Sequence, residues 1–168
     1  MTDPEQVHRL IAYNQWADER VLAAVAGMSA EELERPRDAY FGSIADNLWH
    51  VLSAQHRWLA RWQGAPLPPP ERPAILSWPA AYAASHAGLS RFVAPLTAAD
   101  LQRVVSYTLR VAATGAQPLG QLVVHLVNHG THHRAETGLL LDRIGRSPGD
   151  FDYVLFLGQS SPSPRSHS

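Results

Sequence analysis

The most constraining feature of the chain is an apolar stripe near its C-terminal end that two histidines interrupt. Leu119, Leu122, Leu126, His129, His133, Leu140 and Ile144 follow one another at intervals of three, four or seven. That spacing predicts one face of an α-helix. The segment Val123 to Glu136 also carries His125 and His132, four histidines within nine residues. His129 and His133 stand where the seam calls for apolar residues, and an imidazole buried without a partner costs about 1–3 kcal/mol. Something should therefore satisfy them. Residues four apart on a helix lie about 5–6 Å from each other, so these two rings can reach one metal ion. A third ligand must then come from elsewhere.

The rest of the chain narrows the chemistry. It has no cysteine, which excludes disulfides, thiolate ligands and a cysteine nucleophile. Any metal site must use His, Asp, Glu and water. The net charge is −1 with no clustered basic face, so nucleic-acid binding has little electrostatic support. No apolar run approaches the ~20 residues of a membrane span. The N-terminus lacks the apolar core of a secretory signal, and a cytoplasmic location is the expectation.

At 168 residues the chain suits one domain with a sizeable core. Asp3-Pro4 opens a first helix, with Val7, Leu10, Asn14, Ala17, Val21, Ala24 and Met28 as its seam and Gly27 near its end. Asn14 in that seam reads as a buried amide bonded to a neighbour. Ser29 to Glu32 is a capping box. Ser43 caps a second helix that runs to Gln63, with Gly64 as its stop; His50 lies on the flank of its apolar face, between Asn47 and Ala54. Five prolines between Gly64 and Pro73 make a stiff crossover. A third helix spans Trp78 to Ala94, and Thr97 caps a further turn. Arg103 to Val111 alternates like a short hairpin, and Pro118 opens the last helix, which Gly145 ends. Phe151 to Leu157 is apolar enough to pack back. The expectation is an all-α four-helix bundle over residues 1–157, with a frayed Ser/Pro-rich tail over 158–168.

His8, His56, His86 and His167 read as structural or solvated groups. Within the cluster, His129 and His133 share the seam, and His125 and His132 lie to one side as supporting or surface groups. Glu136 falls close to the same face. It reads as a fourth ligand, as a general base acting through metal-bound water, or as a surface carboxylate paired with Arg134 or Arg143.

Three stretches together resemble the DinB/YfiT-like family of small damage-inducible proteins, which is unrelated to the DNA polymerase sharing the name. They are Tyr13-Asn14-Gln15-Trp16-Ala17-Asp18-Glu19-Arg20-Val21-Leu22, Phe41 to Leu52 with Leu48-Trp49-His50-Val51, and Val124 to Arg134. The correspondence runs over residues 8 to 157 in the same order. The resemblance implies a four-helix bundle, often a homodimer, holding one divalent metal, nickel or zinc. It supplies His50 as the third ligand beside His129 and His133; His125, His132 and Asn47, from their positions on the helices, are then expected as groups around the ligands. It also implies a small-molecule substrate. Related members include thiol-dependent enzymes such as mycothiol-dependent maleylpyruvate isomerase and bacillithiol transferases, in which the metal lowers the pKa of a low-molecular-weight thiol. S-transfer to a small molecule is the activity implied. Metal-dependent hydrolysis and a non-catalytic role in stress-response binding are the rival expectations.

Overall fold

In the computed structural model, residues 3–37, 42–68, 71–109 and 113–159 are described. Helix α1 (Pro4–Val25) begins where Asp3 accepts from the Gln6 amide, and proline occupies its first turn. A short α2 (Ala30–Glu34) carries the Ser29/Glu32 capping box in full. Helix α3 (Ile44–Gln63) is capped by Ser43 and ends at Gly64, whose φ of 66° is left-handed, a conformation glycine adopts without strain. A 3-10 turn at Ile75–Ser77 leads into α4 (Trp78–Val93), and Thr97 caps α5 (Ala98–Gln102). Strands β1 (Val104–Thr108) and β2 (Thr114–Pro118) pair antiparallel, Val104 opposite Pro118 and Thr108 opposite Thr114. Helix α6 (Leu119–Asp142) follows at once, and α7 (Tyr153–Gln159) closes the described chain.

The four long helices account for most of the packing. α6 lies against α1 and α3, and α4 lies against the same two from another side. Val7, Ile11, Trp62, Leu89, Leu119 and Leu126 fill one end of the interior, and Val21, Ile44, Leu48, Trp78 and Leu141 fill the other. The molecule is thus mainly helical, with a hairpin before the last helix whose second strand, Thr114–Pro118, lies beyond the Arg103–Val111 stretch expected to form it; residues 110–112 lie outside the described residues. Pro118 closes β2 and caps α6, because its missing N–H is needed by neither.

Several expectations change in detail. Of the expected α1 seam, Val7, Asn14, Ala17, Val21 and Met28 are buried, while Leu10 and Ala24 are only half-buried; Ile11, Tyr13, Asp18 and Val25 are buried besides. The buried face is wider than expected because Asp18, beside the seam, points inward with Asn14 to partners on other helices. Ile144 drops out of the last-helix stripe, since α6 stops at Asp142 and Ile144 is 39% exposed. Phe151 does pack back, its carbonyl accepting from the Tyr13 hydroxyl at 3.0 Å. Of the proposed tail, Gly158 and Gln159 belong to α7, and 160–168 lie outside the described residues, as do His167, Phe41, Pro69 and Pro70. No helix among the described residues is long and apolar enough to cross a membrane.

A buried polar centre that the sequence reading missed ties the four long helices together. The Asp18 carboxylate on α1 accepts from Arg134 Nη1 of α6 at 2.8 Å, from Gln55 Nε2 of α3 at 2.6 Å and from His86 Nε2 of α4 at 2.9 Å. Arg134 also donates to Asn14 Oδ1 at 2.9 Å, and Ser85 donates to Gln55 Oε1 at 2.7 Å. Asp18 and Arg134 are 2% and 1% exposed. Burial alone would raise the pKa of Asp18. The facing Arg134 and the hydrogen bond from His86 outweigh it and hold the carboxyl below its usual range. Gly130 makes the close approach possible, because a Cβ there would stand 2.7 Å from Arg134 Nη1 and 2.9 Å from Asn14 Oδ1.

Candidate metal centre

His50 is on α3, seven residues in from the Ser43 cap, and His129 and His133 are one turn apart on α6. Because α3 and α6 pack along their length, the flank of α3 that carries His50 faces the histidine step of α6. The donor nitrogens of the three rings all lie within 4.8 Å of one another. His50 Nε2 and His129 Nε2 are 3.0 Å apart. The ring centroids of His50 and His133 are 4.5 Å apart, and those of His129 and His133 are 4.6 Å apart.

This arrangement fits a divalent ion. Nitrogen ligands stand about 2.0–2.1 Å from a zinc-like ion, so two of them on one ion are separated by roughly 3–4 Å, the spacing found between His50 and His129. The donor set is neutral imidazole, which suits zinc and nickel alike. Burial, then the facing rings of His133, His50, His125 and His132, lowers the His129 pKa to about 3. Its ring is therefore neutral at ordinary pH, with a lone pair to donate. His129 Nδ1 is buried with no hydrogen-bond partner among the described residues. Three protein ligands leave further coordination positions for a small molecule.

The neighbours divide clearly. Glu136 Oε2 lies 3.5 Å from His133 Nδ1, a carboxylate placed against the nitrogen that a ligating ring turns away from its metal. It does not pair with Arg134, whose guanidinium turns inward to Asp18 and Asn14. That removes one of the surface pairings expected for Glu136, because residues two apart on α6 point to nearly opposite sides of it. The His133 pKa is lowered by burial and then by His132, with Glu136 opposing the shift. His132 is exposed, its ring edge-on to His133 at 4.8 Å. His125 packs edge-on to Trp58 at 5.0 Å and stands 6.0 Å from the His129 ring. Asn47 is buried and donates to the Ser43 carbonyl at 3.1 Å, which secures the start of α3. His8 bonds the Val93 carbonyl, and His86 belongs to the Asp18 centre.

No curated protein matches the chain. The sequence profile described as the DinB family matches residues 1–164, which takes in every element described above, and the chain therefore belongs to the DinB family.

Proposed function

We propose that this chain is a metal-dependent enzyme acting on a small molecule, with His50, His129 and His133 as the ligands of one nickel or zinc ion and with thiol S-transfer as the reaction. The observation that carries this reading is the convergence of three imidazoles from two helices, with donor nitrogens within 4.8 Å. Membership in the DinB family supports it. So does the pairing of the long helices, which we take as a four-helix bundle of the kind that carries metal sites between facing helices. A divalent ion held there would act as a Lewis acid that lowers the pKa of a bound thiol.

The chain's own residues do the remaining work. The three rings, neutral and fixed on packed helices, present lone pairs to one point. Glu136 sets the orientation of the His133 ring and can take up a proton at Oε2. Because the chain has no cysteine, the nucleophilic sulfur must arrive on a second small molecule. The family also suggests a homodimer.

The test begins with metal content. Purified protein should hold one equivalent of nickel or zinc, and His50→Ala, His129→Ala or His133→Ala should each lose most of it, whereas His8→Ala should not. Loaded protein is then incubated with cysteine, glutathione, mycothiol or bacillithiol and monochlorobimane. At least one thiol should conjugate faster than in the chelated control. Conjugation no faster than that control for any thiol would overturn S-transfer, and full metal retention by His133→Ala would overturn the site.

A further inference from the structure

A cavity of about 150 Å³ opens beside His50. That is the size which, in an engineered apolar cavity, accepts a benzene ring. One wall is a single face of α3: His50, Ala54, Arg57, Trp58 and Arg61 recur at helical intervals along it. Trp49 adds a second indole, and none of the described residues lining the cavity is acidic.

The two arginines differ. Arg61 is already engaged, donating to the Thr108 carbonyl at 2.9 Å and lying 4.8 Å over the Trp58 ring. Arg57 makes no hydrogen bond or ion pair to a described residue, yet it is half-buried and close enough to Arg61 to act on it. Burial first, and then the like charge of Arg57, lowers the Arg61 pKa. Two cations share a partly desolvated wall with no acidic residue among the described lining, and an anion placed between them relieves both terms. A guanidinium offers paired donors that match a carboxylate, and the indoles offer flat apolar surface.

We infer that this cavity is the substrate pocket of the proposed metal site and that it takes a planar organic carboxylate, its flat body on the apolar part of the lining beside Trp49 and Ala54 and its carboxylate on Arg57. This rests on the metal-enzyme reading for its role, and on the cavity itself for its ligand. His50 and Arg57 are seven residues apart on one helix, about 10 Å along its axis, so the carboxylate end sits away from the ion while the body extends toward it. The pocket therefore selects for a charge remote from the reacting end of the molecule.

The test is a binding titration of metal-free and zinc-loaded protein with benzoate and its neutral analogue benzamide, followed by ligand-observed NMR. Benzoate should bind about tenfold more tightly than benzamide in both forms. Arg57→Gln should remove most of that preference, and Arg57→Lys should restore part of it. Retention of the preference by metal-free protein separates this inference from the metal site: loss of metal binding leaves the preference intact if the pocket is assigned correctly. Equal affinity for benzoate and benzamide in the native protein would overturn the inference, as would an undiminished preference in a folded Arg57→Gln. In protein loaded with cobalt(II), the ring protons of bound benzoate should broaden. Tight binding without that broadening would place the ligand away from the site and overturn the substrate role.

Discussion

Replacing Asp18 by Asn is the sharpest test of what holds the helices together. The substitution keeps the shape of the side chain and removes its charge. Arg134, 1% exposed, would then keep one neutral acceptor at the position now 2.8 Å from Nη1 and lose its counter-charge. The other carboxylate oxygen receives Gln55 Nε2 at 2.6 Å and His86 Nε2 at 2.9 Å. An Asn amide placed there would present hydrogens to donors. Gln55 can turn its own amide over, but Ser85 bonds its Oε1 at 2.7 Å, so healing one mismatch disturbs another. Breaking a buried pair by removing one partner costs about 3–5 kcal/mol, a large part of the 5–15 kcal/mol that folded domains typically possess. For a chain of this size each 1 kcal/mol moves Tm by about 2–4 °C, so the melting point should fall by roughly 6–20 °C. Urea unfolding followed by circular dichroism, with chelator present, measures the change free of any metal contribution. Arg134→Met in the same background should recover part of the loss, because the uncompensated cation is then gone. The pH dependence has a fixed sign. The carboxyl's folded pKa lies below its ordinary 3.8, so its contribution is present above that value and is lost as pH falls through the lower one. The gap between native and variant protein should therefore narrow only below about pH 4. A folded Asp18→Asn protein within about 1 kcal/mol of the native one would refute the claim that this buried pair organises the interior.

Gly130→Ala should destabilise despite the better helix propensity of alanine, since its Cβ would press on Arg134 Nη1 and Asn14 Oδ1; overpacking costs about 1–3 kcal/mol against about 1 kcal/mol regained from propensity, and a raised Tm would contradict the close approach. Metal-free protein should lose stability as pH falls from 6.5 toward 3, because His129 binds a proton in the unfolded chain near 6.5 and in the folded one only near 3; stability that is flat through that window in a chelator-treated sample would count against the geometry of the three rings. Glu136→Gln should retain metal, because it removes no ligand, while changing the pH profile of conjugation. Light scattering at micromolar concentration should give a dimer mass, and a monomer would remove the quaternary part of the family expectation.

The helix limits and turns were legible because local chemistry decides them. Ser29, Ser43, Thr97 and Gly64 do at each terminus what their side chains or φ angles favour. The histidine pair was legible because polar residues at a helical interval inside an apolar stripe need a partner. His50 was not legible from spacing. It lies on the flank of its own helix, and only the approach of α6, or a resemblance, reveals what it faces. The Asp18 centre was harder still. Asn14 alone stood in the expected seam, while Asp18 and Arg134 each sit one residue beside a readable stripe and look like ordinary surface charges. A long-range pair, 116 residues apart in the chain, leaves no periodic mark. Trp58, Trp62 and Trp78 are 5%, 1% and 3% exposed, and Trp16 and Trp49 are half-buried, so most of the tryptophan surface is used inside the chain.

The two polar clusters on α6 explain each other by contrast. Arg134 enters a site where acceptors and donors are matched in kind: a carboxylate receives hydrogens from a guanidinium, an amide and an imidazole, and the charges oppose. Such a site is complete within the chain. One residue earlier, His133 turns about 100° around the helix, the angle implied by 3.6 residues per turn, and joins His50 and His129. There the groups are alike. A neutral imidazole has one donor and one acceptor nitrogen, so a 3.0 Å contact between the Nε2 atoms of His50 and His129 uses the hydrogen of one ring and the lone pair of the other. Protonating a ring to add a donor is opposed by burial and by the neighbouring imidazoles, which is the cause of the low His129 pKa. Rings that reject a further proton can still turn their lone pairs to a shared cation. On this reasoning the Asp18 centre fixes the helices, and the histidine step on the adjoining face of α6 is a place that could hold an ion from outside the chain.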